Sequence, residues 1–398
     1  MKDTLFIQFY SKTKKYNLEG SVSFYEVDNG FSDTWDLCKS KGDFLWVNLE
    51  SDESHELPIQ VGTAYVSVCY LTHLYRTYEW AIRYPNINFI AGGPATNPNK
   101  YQVDDSLIPK NLNIITCTVE EYFNVPNFSY PWKLELPTDE SENDALSFMY
   151  TLSNICYWNK CIFCSFSDLK LRKRPEIKFG FKNVTYSGHK TVNLYSPSIS
   201  PIQLDILLSN LTYDEKTRYD IFIRADKEIR EVLKKVLIKK QKDLAFCKFF
   251  LGVEFPSNRM LKHMKKNNTV EDFLETINVL SEYGDKKNLI MHLPFILRWN
   301  NLESSDILEL DKFLNKLDSD KARFVFSIYP IEVLINTPIY NNNMYEIEQK
   351  LYVGPFYYGF KPRVSKNQIN LSKQALELLN NQKIKTFDYS GITMESTN

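Results

Sequence analysis

Three cysteines within nine residues carry the clearest chemistry in this 398-residue sequence: Cys156-Tyr-Trp-Asn-Lys-Cys161-Ile-Phe-Cys164. Three thiolates on one tight loop can hold one face of a metal centre. A structural zinc site closes with four ligands, and no fourth cysteine or histidine lies nearby in sequence. Iron–sulfur clusters used only for electron transfer also take four cysteines. A loop with three leaves one iron open to a substrate-like ligand, while zinc completed by a remote Cys117 or Cys247 stays open as an alternative. The five histidines, at 55, 73, 189, 263 and 292, show no metal-ligand spacing. The other cysteines, at 38, 69, 117 and 247, stand singly and read as small buried hydrophobes. An odd total of seven, in a chain whose start lacks an export signal, argues against a disulfide framework.

The elements that must position this loop follow from the apolar pattern. Strands are expected over residues 2–9, 43–47, 64–69, 86–91 and 113–118, with a helix over 71–84 between the third and fourth. This strand–helix–strand unit, ending in Gly92-Gly93-Pro94, indicates a parallel sheet, whose ligands collect at strand carboxyl ends. Cys69 and Cys117 fall at such ends. No GxGxxG is present, which gives no support to a nicotinamide or flavin nucleotide. Residues 137–144 (PTDESEND) read as a linker, and Arg172-Lys173-Arg174 as a solvated helix end. Beyond the linker, strands over 146–152, 191–195, 219–223, 247–254, 289–295 and 323–328 alternate with helices over 202–211, 227–239 and 270–283. The expected fold is therefore α/β: a partial (β/α)6 TIM-like barrel over 145–342, an abbreviated Rossmann-like domain over 1–136, and a C-terminal extension over 343–398 with a helix near 371–379.

The cysteine loop and the blocks that follow resemble the radical S-adenosylmethionine enzymes, in the branch with an N-terminal cobalamin-binding-like domain. The family's usual spacing is three residues and then two, whereas this chain has four and then two. The resemblance implies a 4Fe–4S cluster on Cys156, Cys161 and Cys164, with Ile162 and Phe163 beside the adenine of S-adenosylmethionine. Val192–Pro201 matches the strand and turn that approach the methionine amino group, with Ser196 and Ser198 where the family often has acidic residues or glycine. Ile223-Arg224 matches the strand whose arginine meets the carboxylate. Leu251–Ser257 followed by Met264-Lys265-Lys266 matches the next strand and helix, which puts Glu254 near the ribose or substrate. His292-Leu-Pro294-Phe295 stands at the family's Gly-x-Pro. Residues 65–96 match the second half of a cobalamin domain. One short strand and a polar stretch represent the first half, and Asp-x-His-x-x-Gly is missing. Cobalamin is carried as a second cofactor on the alternative reading only.

Apolar residues at 43%, charged residues at 24% and a net charge of −1 point to neither a nucleic-acid partner nor a membrane surface. No apolar run approaches the ~18–20 residues that span a bilayer. With no secretory signal at the start, a cytoplasmic location is expected. The resemblance implies reductive cleavage of S-adenosylmethionine and abstraction of a substrate hydrogen. A precursor peptide is the expected substrate, and a flavodoxin or ferredoxin the expected electron donor. Cα epimerisation would need a hydrogen donor, for which Cys69 and Cys117 are the candidates. A cobalamin-dependent methyltransferase and a non-catalytic peptide-binding relative are the alternatives.

Overall fold

Short runs rich in valine, isoleucine and aromatic residues form strands here, and the charged stretches between them form amphipathic helices. A computed structural model describes residues 3–17, 20–28, 42–48, 56–57, 60–68, 70–117, 122–123, 145–151, 156–165, 190–211, 217–240, 247–283, 289–390 and 392. Cys69, the linker over 137–144 and the basic cluster over 172–174 lie outside the described residues. Two compact units are present. Unit 1 comprises residues 1–151, 178–193 and 351–359, and unit 2 comprises 152–177, 194–350 and 360–398.

Unit 1 contains β1 (Thr4–Asn17), β2 (Gly20–Asp28), β3 (Asp43–Asn48), β4 (Thr63–Ser67), α1 (Leu71–Arg83), β5 (Asn88–Gly92), β6 (Leu112–Ile114) and β7 (Ala145–Thr151). Its strands run in the order β7-β2-β1-β4-β5-β6, with β3 also paired to β1. The β1–β4–β5–β6 series is parallel, the signature of a Rossmann-like sheet. The stretch expected as one short strand and a polar segment instead carries a 14-residue strand and a nine-residue strand, paired antiparallel. Alternating Leu5, Ile7 and Phe9 on β1 pack with Ala64, Val66, Leu74, Trp80 and Phe89 to form the core under α1. Residues 351–359 contribute Phe356 to it, fully buried between the edges of the Tyr78 and Tyr101 rings.

Unit 2 takes up the chain in β8 (Lys190–Tyr195), whose last two residues belong to it. There follow α2 (Pro201–Asn210), β9 (Thr217–Ile223), α3 (Lys227–Lys240), β10 (Cys247–Leu251), α4 (Asn258–His263), α5 (Val270–Tyr283), β11 (Ile290–Leu297), α6 (Ser304–Leu314) and β12 (Arg323–Pro330). Strands β9, β10, β11 and β12 are consecutive and parallel, which is the barrel-type α/β arrangement. One strand beyond the expected series, β16 (Lys385–Asp388), adds in parallel to β12. Before it come β13 (Val333–Leu334), α7 (Pro338–Asn341), β14 (Ile347–Val353), β15 (Phe356–Pro362) and α8 (Lys366–Asn380). Local signals start the helices. Ser200 and Gln203 form a reciprocal capping box with Pro201 at the first turn of α2, and Ser365 caps α8. One face of β9–β11 is apolar and sealed: Ile221, Phe249, Leu251, Met291 and Leu293 are completely buried. The alternate positions face the other side of the sheet. No helix among the described residues is long and apolar enough to cross a membrane.

Candidate functional site

The cysteine loop is pinned by a turn that follows α4. Lys265 and Asn267 both adopt left-handed backbone conformations, with φ of 53° and 60°. This turn presents three consecutive carbonyls, each with a different donor. Met264 O accepts from Ile162 N–H at 3.1 Å, and Lys265 O accepts from Trp158 Nε1–H at 2.8 Å. Lys266 O accepts from the Arg224 guanidinium. On its other side the loop is tied to α7, where Ile339 N–H donates to Ile162 O at 3.0 Å. Within the loop, left-handed Asn159 (φ 51°) turns its N–H toward Cys156 Sγ at 3.5 Å.

Arg224 follows β9 and is buried. Its Nε donates to Asp226 Oδ2 at 2.9 Å and its Nη2 to Asn268 Oδ1 at 2.8 Å, while Asn268 Nδ2 closes the ring onto Asp226 Oδ1 at 2.8 Å. The same guanidinium lies 4.9 Å from the Trp158 ring and faces the Cys161 sulfur. Burial lowers the Arg224 pKa from its usual value, and the facing Cys161 and Cys156 sulfurs act against that shift. Asp226 is raised, chiefly by burial.

Glu254 owes its placement to a slip in register. Phe250 pairs with His292, but Glu254 pairs with Phe295, so four residues of one strand span three of the next. Glu254 takes up the extra residue in a left-handed conformation with φ 61°. Its N–H donates to Pro294 O at 2.9 Å, and its carbonyl accepts from Ile296 N–H at 2.7 Å. Such bulges re-aim a side chain at a strand end. The Glu254 carboxylate meets Lys266 Nζ at 3.0 Å in a largely buried ion pair. Gly252 makes room for that pair: a Cβ there would lie 3.0 Å from Glu254 Oε1 and 3.1 Å from Lys266 Nζ. Cys161 sits within the field of both Lys266 and Arg224. Burial raises its thiol pKa, and these two cations oppose the rise.

The structure therefore brings Cys156, Cys161, Arg224 and Glu254 into one neighbourhood and adds Lys266, Asp226, Asn268 and Trp158, which sequence reasoning had not singled out as site residues. Phe163 sits half-buried, edge-on to Trp299 with centroids 5.9 Å apart. Ser196 and Ser198 follow β8 and are buried, and both hydroxyls have no hydrogen-bond partner. Cys117 is half-buried, three residues past β6 in unit 1. Among the described residues, no group of three His, Cys, Asp or Glu side chains is placed to hold a single metal ion. A cubane cluster spaces its thiolates more widely than one tetrahedral ion does. The three thiols of one loop are the soft donors such a cluster takes, and Lys266 and Arg224 act on Cys161 beside them. Two orphaned buried hydroxyls, each costing about 1–3 kcal/mol, are the complement of a polar ligand.

No protein-family model matches the chain, and no curated protein matches it. Among solved structures, it is similar to the cobalamin-dependent S-adenosylmethionine radical enzyme OxsB with aqua-cobalamin and S-adenosylmethionine bound. The TM-score is 0.56 at 13% identity, over 95% of this chain and 66% of that one. The same enzyme with aqua-cobalamin bound gives a TM-score of 0.55 at 13% identity, over 93% of this chain and 66% of that one. The chain shares the fold of that enzyme. The chain spans just under two thirds of the length of the structures it matches. In unit 1 the glycine turn at the end of β5 packs closely on backbone. A Cβ on Gly93 would lie 2.6 Å from Val68 O, and one on Gly92 2.9 Å from Cys117 O.

Proposed function

We propose that this chain is a radical S-adenosylmethionine enzyme whose Cys156, Cys161 and Cys164 hold a 4Fe–4S cluster. The observation that carries the reading is the convergence of Arg224, Lys266 and Glu254 on Cys161 at the carboxyl ends of β9 and β10. When bound, the reduced cluster supplies one electron to S-adenosylmethionine, whose 5′-deoxyadenosyl radical removes a hydrogen atom from an unactivated carbon. Arg224, fixed by Asp226 and Asn268, orients Cys161 and counters negative charge there. Lys266 presents a second cation, which Glu254 holds in place. Ser196 and Ser198 offer hydroxyls to the polar end of the co-substrate, and Phe163 an apolar ring to its base. Burial of these groups excludes water, which strengthens each of the charge interactions.

The proposed substrate is a ribosomally made precursor peptide, with Cα epimerisation as one outcome and Cys69 or Cys117 as hydrogen donor. A flavodoxin or ferredoxin would deliver the electron. Anaerobic reconstitution with iron and sulfide, followed by dithionite and S-adenosylmethionine, tests the core reading. A brown protein that releases 5′-deoxyadenosine is expected, and a colourless or inert one refutes it. Peptide mass spectrometry in deuterated water then separates epimerisation, a one-dalton gain, from methylation. The second reading, a cobalamin-dependent methyltransferase, draws on the fold shared with OxsB. It predicts stoichiometric cobalamin uptake by the purified chain and fails without it.

A further inference from the structure

The face of unit 2's sheet that carries the charged site continues from strand to strand as far as β16. Phe250, His292 and Ser327 share one layer of it: the first two rings stack with centroids 4.4 Å apart, and His292 Nε2 lies 2.8 Å from Ser327 Oγ. That layer is closed at β12, where Ser327 is buried. Two residues further along each strand, the same face presents Gly252, Pro294 and Tyr329. Gly252 borders the space that Glu254 and Lys266 occupy. Ile296, whose N–H donates to the Glu254 carbonyl, is the register partner of Tyr329. Here the face opens. Tyr329 is 42% exposed and stacks on Tyr389, itself 57% exposed, with centroids 5.2 Å apart and planes 14° from parallel. Tyr389 follows β16 and is fixed by its N–H, which donates to Ile328 O at 2.7 Å. Burial, aided by Tyr389 and Glu254 and opposed by Ser327, raises the Tyr329 pKa, so the phenol keeps its hydrogen.

Bond chemistry narrows what this rim can give to a carbon radical. The thiols of unit 2 are Cys156, Cys161 and Cys164, which the cluster takes, and Cys247, which is fully buried at the first residue of β10. Cys247 thus lies at the end of the strand away from Glu254. A serine O–H bond is stronger than an alkyl C–H bond and does not yield its hydrogen atom to an alkyl radical. A phenol O–H bond is weaker than an unactivated C–H bond, because the oxygen radical spreads over the ring.

We propose that Tyr329 is the catalytic residue that returns a hydrogen atom to the substrate radical, and that Tyr389 restores it from the surface. The inference rests on the radical reading above and gives the donor role to unit 2 in place of the Cys69 and Cys117 thiols. The substrate C–H bond first loses its hydrogen to the 5′-deoxyadenosyl radical, forming 5′-deoxyadenosine. The carbon radical then takes the hydrogen of the Tyr329 O–H. A C–H bond forms, the O–H bond breaks, and a Tyr329 phenoxyl radical remains. Tyr389 passes that radical one electron across the stack, together with a proton. The Tyr389 phenoxyl is reduced in turn by a one-electron donor of the flavodoxin or dithionite class, with a proton from water. The substrate ends at its original oxidation level, as inversion at a carbon requires.

The test uses the full chain, anaerobically reconstituted, with S-adenosylmethionine and dithionite in deuterated water and no peptide. Without a substrate, the 5′-deoxyadenosyl radical takes the nearest weakly held hydrogen, and in the protein only O–H, N–H and S–H positions carry deuterium. Mass spectrometry should find 5′-deoxyadenosine with one deuterium, and Tyr329→Phe should lower the labelled fraction severalfold. Tyr389→Phe should keep the label and leave a tyrosyl radical that persists long enough for freeze-quench electron paramagnetic resonance. Ring-deuterated tyrosine should narrow that signal. Unlabelled product, a label unchanged in Tyr329→Phe, or no tyrosyl signal in Tyr389→Phe would overturn the proposal. If Tyr329→Phe fails to fold, the wild-type label and the Tyr389→Phe signal decide. A chain that makes no 5′-deoxyadenosine loses the radical reading and this proposal with it, whereas one that makes only unlabelled 5′-deoxyadenosine keeps that reading and loses Tyr329 alone.

Discussion

Both units end a buried parallel strand near a glycine, and the space left by the missing side chain is put to different use. In unit 1, Gly93 has φ 137° and a Cβ there would lie 2.6 Å from the Val68 carbonyl, so backbone fills the gap. In unit 2, the space beside Gly252 holds the Glu254 carboxylate and the Lys266 ammonium. The first glycine serves packing and the second makes room for charged groups beside Cys161. Each unit also buries one histidine with a pKa near 3, His73 in unit 1 and His292 in unit 2. His73 is wedged against Phe9 and Tyr70. His292 keeps one nitrogen without a partner.

The sharpest break of this contrast is at the cysteines. Cys161→Ala should abolish iron retention and 5′-deoxyadenosine formation, whereas Cys117→Ala in unit 1 should keep both the iron and the visible absorbance. Iron analysis and product chromatography check this pair. Next in size is Gly93→Ala, which forces a left-handed residue onto backbone and should cost about 3 kcal/mol, read from urea unfolding followed by a unit 1 probe. Acid should then destabilise both units. The folded pKa of each histidine lies below its unfolded value near 6.5, so this stabilisation is full above about pH 6.5 and is lost as pH falls toward 3. Each ring contributes a slope of about 1.4 kcal/mol per pH unit in that window. His73→Phe should flatten the acid limb by one proton's worth, measured as urea midpoints from pH 7 to pH 4. Gly252→Ala should have the smallest effect, since flexible side-chain ends can shift. A severalfold rise in the KM for S-adenosylmethionine is expected with stability changed by less than about 1 kcal/mol.

Much of this was legible in the residues. Strands and helices with strong periodicity, such as α1, α3, α5 and β9 to β12, fall within a few residues of the expected limits. Helix α6 was not expected, although Ile307, Leu310, Phe313 and Leu314 are buried at helical spacing; its Glu303–Asp306 box lacks the usual Ser or Thr start signal. Strand β14 escapes because four of its first residues are exposed and show no alternation. In the site, the thiols stood out by type and spacing, and Arg224 and Glu254 through the resemblance of their strands to the family's. Lys266, Asp226 and Asn268 did not, because what selects them is the left-handed turn over 264–267 and a one-residue slip between β10 and β11. Both are decided by backbone pairing, to which a lysine or asparagine in isolation gives no clue.

The carbonyl ladder of Met264, Lys265 and Lys266 carries one more consequence. The cysteine loop takes its shape from an outside template, a distant turn whose three acceptors fix where Ile162, Trp158 and Arg224 must stand. An extra residue between Cys156 and Cys161 can then be absorbed locally, as left-handed Asn159 does, while the thiols stay indexed to the template. Chain length between ligands is free to drift so long as that index is kept. Distant members of such a fold would be found by looking for the template, with cysteine spacing as the looser criterion.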